Sequence, residues 1–339
     1  MRLSELDYDL PEDLIAQEPL VQRDEARMLV VDRARDTIEH SRFRKLGNYL
    51  REGDLLVLND TRVFPARLMT RKESGGRVEL LMVRQVDDPP GAWLALMRTH
   101  HAPAPPAILT TEAGDELKIV RYDRPGRPVV APVNGRPMSA LLDGSGLLAL
   151  PHYIRRPPGP EDVAEYQTVY AHQVGAIAAP TAGLHFTSEL LDELRGAGVG
   201  VARLTLHIGP GTFVPVRSAD VEGHTMEAEW YTIPPPALAA IEHARRIGAR
   251  VIAVGTSTVR ALESSAITGD TEGFTGLFIA PGFRFKAVDA MITNFHMPRT
   301  TVLAMVMAIV GRDTILAAYR EAIRRRYRFL SYGDSMLIL

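Results

Sequence analysis

The stretch RVIAVGTSTVRALE (250–263) decides the fold. Residues 250–254 are almost wholly apolar and read as a short buried strand. Gly255 interrupts them, and Thr256, Ser257 and Thr258 open a second pattern that reads as a helix. A strand that feeds a helix through small residues is the unit of α/β architecture. The same alternation continues on both sides. Thr187 or Ser188 caps a helix that ends near Gly196 and Gly198, and 199–208 reads as a strand. Pro235 or Pro236 opens a helix that stops at Gly248, and 290–293 ends another strand. Helices follow from Thr300 or Thr301 to Val310 and from Asp313 to about Arg326.

Two earlier runs, RMLVVD (27–32) and DLLVLN (54–59), read as buried strands and need partners. Between about 65 and 150 the texture changes. Short apolar runs at 78–83, 92–97, 117–120 and 129–132 alternate with Gly, Pro and Asp clusters, and helical periodicity nearly vanishes. That pattern predicts a small β-barrel inserted into a layered α/β domain. The expected division is 1–64 and 151–339 for the α/β part and 65–150 for the barrel. Near the N-terminus, Asp9 ahead of Pro11 predicts a capped helix.

Composition narrows the function. The net charge of -2 supplies no global basic field, so contact with nucleic acid must use local patches. The absence of cysteine excludes disulfides, thiolate metal sites and a cysteine nucleophile. The N-terminus carries no apolar signal core, and the longest apolar run, 302–310, is too short to span a bilayer. A cytoplasmic protein without membrane contact is expected.

Four segments share one design, a strand tip followed by small or polar residues: TAGLHF (181–186), HIGPGTF (207–213), GTSTVR (255–260) and TNFHMPR (293–299). In open α/β sheets ligands bind beyond the carboxyl ends of strands. GTSTVR offers free N–H groups at a helix N-terminus for a carboxylate or phosphate, with Arg260 as a clamp and Glu263 as a partner for a hydroxyl or amine. An ordinary N-cap has the same sequence, and so does an ordinary Gly-Pro-Gly turn at Gly209 and Gly211. The histidines at 185, 207, 224 and 296, with Glu227 and Glu229, lack the spacing of a zinc hydrolase, so no metal is expected. Arg320–Arg328 places five arginines beside Tyr327 and Phe329, suited to phosphates and bases or to a solvated helix face.

Those motifs join a longer set. DYDLPEDLIAQEPL (7–20), LVLNDTRVFPARL (56–68), LPHYIRR (150–156), YQTVYAHQVGAIAAPTAGLHF (166–186), TLHIGPGTFVPV (205–216), VGTSTVRALE (254–263), LFIAPGFRFKAVDAMITNFHMPRTT (277–301) and YRFLSYGDSMLI (327–338) occur in one order along nearly the whole chain. In this set the chain resembles the S-adenosylmethionine:tRNA ribosyltransferase-isomerase family of the queuosine pathway. The resemblance implies an α/β domain with an inserted β-barrel. It also implies transfer of the ribosyl part of S-adenosylmethionine, as co-substrate, onto 7-aminomethyl-7-deazaguanine at the tRNA wobble position. Rearrangement gives epoxyqueuosine, with adenine and methionine released and no metal used. A monomer is expected. On this reading His185, His207, His296 and Glu229 include the acid and base groups. Gly209, Gly211, Thr212, Gly255, Thr256, Ser257 and Arg260 hold S-adenosylmethionine, and Asn59, Asp60, Arg67 and Thr181 line the site or meet the nucleotide.

The chain departs from the family pattern in places. Glu227 stands where a second His is common, Gly276 where Asp is frequent, and Ala280 where Tyr is. His152 replaces a usual Pro and Ala176 a usual Ser. The alternative is therefore a diverged member that binds tRNA without this reaction. A third reading, an α/β hydrolase or transferase acting on another nucleoside or nucleotide, is weakened by the absence of cysteine and of a G-x-S-x-G elbow.

Overall fold

In a computed structural model, which describes residues 2–213, 221–223 and 226–339, the apolar runs become strands of one large sheet. In chain order come β1 (Arg27–Asp32), β2 (Thr37–Arg42), β3 (Leu55–Asn59) and a short β4 (Thr61–Val63). Six barrel strands follow: β5 (Arg67–Lys72), β6 (Arg77–Gln85), β7 (Trp93–Arg98), β8 (Ala107–Thr111), β9 (Glu116–Arg124) and β10 (Arg127–Pro132). Next are helices α1 (Met138–Ser145) and α2 (Asp162–Glu165), strand β11 (Gln173–Ala176), α3 (Ser188–Gly196), β12 (Gly200–Leu206) and β13 (Glu229–Thr232). The chain closes with α4 (Pro235–Arg246), β14 (Val251–Val254), α5 (Thr256–Thr268), β15 (Glu272–Thr275), β16 (Ala290–Asn294), α6 (Thr301–Val310), α7 (Arg312–Arg324) and β17 (Ser335–Ile338).

The main sheet runs β15-β13-β12-β3-β14-β16-β17-β1-β2, and the barrel closes in the order β10-β7-β6-β5-β8-β9. The α/β class with a small barrel is therefore the observed fold. Strand β3 explains the sheet's sequence pattern. All five of its residues are buried. Leu55 and Val57 enter the core on one face while Leu56 and Leu58 enter the core on the other. A strand covered on both faces reads as a continuous apolar run rather than an alternation. The barrel has its own core, built from the inward residues Val78, Leu80 and Met82 of β6 with Leu117 and Ile119 of β9.

Register fixes where a site can form. Leu56 of β3 pairs in parallel with Val201 of β12 and with Ile252 of β14, and Ile252 pairs in parallel with Ala290 of β16. The carboxyl ends of these four strands therefore share one edge of the sheet.

Local chemistry agrees at α3, where the Thr187 hydroxyl accepts from Leu190 N–H at 3.1 Å. It differs at the N-terminus, where Glu12–Leu14 is a single 3-10 turn that Pro11 precedes, with no cap from Asp9. Three residues cannot repay the cost of nucleating an α-helix. No single helix among the described residues is long and apolar enough to cross a membrane; α6 and α7 meet at a bend of 112°.

Candidate active site

The shared edge opens into a cavity of about 250 Å³. All four segments singled out above contribute to its wall, three of them with polar or small residues: Thr181 from the turn after β11, Gly255, Thr256 and Ser257 from the start of α5, and Thr293 to His296 from the end of β16. Ile208 represents the fourth segment.

Gly255 makes the α5 end possible. Its φ of +91° is in the left-handed half of backbone space, which a side chain disfavours. That turn brings the first N–H groups of α5 to the cavity, and no side chain caps them. Beneath them, the Asn59 amide at the end of β3 donates to the Leu206 carbonyl at 2.9 Å and to Ser257 Oγ at 3.0 Å. Asn59 thus ties the tips of β3 and β12 to the first turn of α5 and is not among the residues that line the cavity.

His296 lines the cavity. Thr293 Oγ1 lies 2.7 Å from its Nε2, its backbone N–H donates to the Tyr319 hydroxyl at 3.0 Å, and its carbonyl accepts from the Tyr8 hydroxyl. Burial pushes its pKa down to about 4, so the ring is neutral at pH 7. In the tautomer that donates Nε2–H to Thr293 Oγ1, Nδ1 carries the lone pair that can take a proton.

His185 and His207 lie outside the cavity wall. His185 packs on Phe43 and takes the Asn294 amide at 3.3 Å through Nε2. Asn294 also donates to the Leu330 carbonyl at 3.1 Å, which identifies its nitrogen, so His185 Nε2 accepts. Burial foremost lowers the His185 pKa to about 4, against a backbone hydrogen bond to Arg23. His207 is held at 2.8 Å by Thr61 Oγ1 and stacks on Trp230 with ring centroids 5.2 Å apart; burial lowers its pKa too. Gly175 makes room for that ring, because a Cβ there would come within 2.5 Å of it.

Glu229 is buried, accepts from Gly209 N–H at 2.8 Å and forms an ion pair with buried Arg260. Burial lowers the Arg260 pKa to about 10. Gly209 therefore serves this pair. Neither Gly209 nor Gly211 has the positive φ that would require glycine; the residue nearest a Cβ at Gly211 is Glu227, at 3.3 Å. The side chain of Thr212, and His224 altogether, lie outside the described residues.

The remaining candidates have other partners. Glu263 is not available to a ligand: its carboxylate accepts from the backbone N–H groups of Lys286, Ala287 and Val288 at 2.9 to 3.0 Å. Tyr327 and Phe329 are core residues, unavailable for base stacking. Arg324 and Arg325 are paired with Glu321, and Arg326 with Asp13. Arg67 belongs to the barrel and pairs with Glu79 at 3.3 Å. Asp60 accepts from Thr205 Oγ1 at 2.6 Å, and burial raises its pKa. Among the cavity residues, sequence reasoning gave no individual role to Tyr153, Tyr166, Ser331, Thr293 and Asn294, although the last two lie in a segment singled out above. The signal for the last two was a polar pair ending an otherwise apolar strand.

Comparisons with known proteins bear on this geometry. A family model described as queuosine biosynthesis protein matches residues 3–338. The chain is 48% identical over 343 residues to the S-adenosylmethionine:tRNA ribosyltransferase-isomerase of Geobacter sulfurreducens, covering 100% of both chains. It is 48% identical to the protein of that name from Rubrobacter xylanophilus, covering 100% of this chain and 98% of the other. The crystal structure of S-adenosylmethionine tRNA ribosyltransferase from Thermotoga maritima, 35% identical, covers 99% of this chain and 100% of its own with a TM-score of 0.57.

Proposed function

This chain belongs to the queuosine biosynthesis protein family of S-adenosylmethionine:tRNA ribosyltransferase-isomerases, and from that membership we propose the reaction its cavity serves. The enzyme transfers the ribosyl moiety of S-adenosylmethionine to 7-aminomethyl-7-deazaguanine at the tRNA wobble position and isomerises it to epoxyqueuosine. Adenine and methionine leave. The observation that carries the reading is the convergence of a neutral His296, the uncapped start of α5 and Thr181 on one cavity at the carboxyl edge of the sheet. The relatives give no support to the alternative of a member lacking the reaction.

The chemistry needs a C–H bond next to the sulfonium to be deprotonated, the bond to adenine and the ribose ring C–O bond to break, and a bond to the incoming amine to form; a new carbon–carbon bond closes the cyclopentane ring, and an epoxide C–O bond forms as the bond to sulfur breaks and methionine leaves. The sulfonium acidifies the neighbouring carbon, so a weak base suffices if it is close and neutral. We assign His296 to that proton, oriented by Thr293 and Tyr319. His185 and His207 act through other residues, His185 by orienting Asn294 and His207 by fixing the tip of β12. Glu229 keeps Arg260 paired. Gly255, Thr256 and Ser257 present helix N–H groups to the methionine carboxylate. No group of three or more His, Cys, Asp or Glu among the described residues could hold a metal. We place the enzyme in the cytoplasm as a monomer, with tRNA as its macromolecular partner.

The test is incubation of the purified chain with S-adenosylmethionine and tRNA bearing 7-aminomethyl-7-deazaguanine. Adenine release coupled to epoxyqueuosine formation is the expected result. Folded protein that binds the tRNA and yields neither product would overturn the reading.

A further inference from the structure

A second, smaller chamber of about 40 Å³ adjoins the main cavity. The two share Ile208, Thr256, Ser257 and Val302 in their walls, so the first turn of α5 stands between them. The side chamber is apolar at Leu277, Ile279 and Met305, with Arg260 as its cation. Arg260 is only 7% exposed, and its Nε–H has no hydrogen-bond partner among the described residues. On the other side, buried Asn294 lines the main cavity, and its Oδ1 likewise has no partner among the described residues. A buried polar atom left unpaired is destabilising, and a ligand donor or acceptor removes that penalty.

We propose that the two chambers divide S-adenosylmethionine between them: the side chamber takes the methionine half, and the main cavity takes the nucleoside half. This rests on the reaction proposed above. The carboxylate meets the α5 N–H groups and the Arg260 Nε–H. The thioether chain lies along Leu277 and Met305. The amino or hydroxyl donors of the nucleoside meet Asn294 Oδ1. Charge supports an amino acid here over a phosphate. Glu229 already neutralises Arg260, so the chamber offers directed N–H groups and a helix dipole without excess positive charge, which suits a zwitterion of no net charge. The partition also keeps the sulfonium, which joins the two halves, at the boundary between the chambers, on the His296 side of α5.

The test compares two ligands by calorimetry on the full chain: S-adenosylmethionine, and 5′-methylthioadenosine, which carries the nucleoside without the amino acid. Leu277→Trp fills the side chamber. It is expected to weaken S-adenosylmethionine by about ten- to a hundredfold, the equivalent of one or two charge-assisted contacts, and to leave methylthioadenosine within about twofold. Arg260→Lys keeps the charge opposite Glu229 but removes the Nε–H, and should show the same selectivity even if the tryptophan variant fails to fold. Equal losses for both ligands, or no loss for either, would overturn the partition while leaving the reaction standing. Wild-type protein that binds neither ligand would overturn both.

Discussion

Replacing Glu263 by Gln separates a structural carboxylate from a ligand-binding one. Glu263 is fully buried on α5. Its Oε1 accepts from Ala287 N–H at 2.9 Å and Val288 N–H at 3.0 Å, and its Oε2 accepts from Lys286 N–H at 2.9 Å. Hydrogen bonds to a charged acceptor contribute about 1.5–3 kcal/mol each, against about 1 kcal/mol for a neutral one. A Gln keeps an oxygen for two of the three donors but turns its own N–H₂ toward the third. One bond is lost, two are weakened and a donor faces a donor. A loss of about 2–3 kcal/mol follows, equivalent to a fall of about 3–5 °C in the melting temperature of a chain this long. The assay pairs thermal unfolding with KM for S-adenosylmethionine measured well below the transition. If the carboxylate only ties the 286–288 backbone to α5, melting falls while KM stays within about threefold. A large rise in KM with unchanged melting would refute the structural role and restore Glu263 as a ligand group.

His296→Asn keeps a polar side chain beside Thr293 but removes the base, and turnover should fall about 10²- to 10⁴-fold with tRNA affinity unchanged, read by single-turnover kinetics and filter binding. For His185, the folded pKa of about 4 lies below the ordinary 6.5, so the unfolded chain binds a proton that the folded one does not. Stability from this group is therefore complete above 6.5 and is lost as pH falls toward 4, by about 3 kcal/mol in total; urea unfolding of His185→Gln should show a flatter pH profile over that window. Glu229→Gln leaves the Arg260 charge buried and unpaired, at a cost of about 3–5 kcal/mol, and adding Arg260→Met should recover most of it in the same unfolding assay.

Much of this architecture was legible because the decisive elements carry local signals. The run at 250–254 was readable as β14 because burial on both faces leaves no polar residue after Arg250, and α3 because Thr187 caps it. The site was legible as a set of strand tips, since parallel strands must end on one edge. Its inner wiring was not. Whether His185 faces the cavity or Phe43 depends on how the turn at 181–185 packs against β16, a contact between residues more than a hundred positions apart. Glu263 looked available because the three N–H groups that occupy it lie 23 to 25 residues downstream in an irregular loop. Asp9 misled because a favourable cap cannot create a helix where the following residues do not continue it.

The departure at Glu227 has partners in the barrel. Where the family commonly has His, this chain carries an anion, and two barrel arginines meet it: Arg127 in direct contact and Arg124 at 3.5 Å. A carboxylate facing two guanidinium groups serves as their counter-ion, and removing its charge would leave both cations unpaired. We propose that the position works as a tether between the barrel and the 226–229 segment that leads into Glu229, rather than as a source of protons. The pair is partly open to solvent, so the tether contributes about 1 kcal/mol or less. Glu227→His should then lower stability by about that amount in urea unfolding and leave turnover within about twofold. A tenfold rise in turnover would show instead that a neutral proton donor at this position serves the reaction and that the native chain works without it.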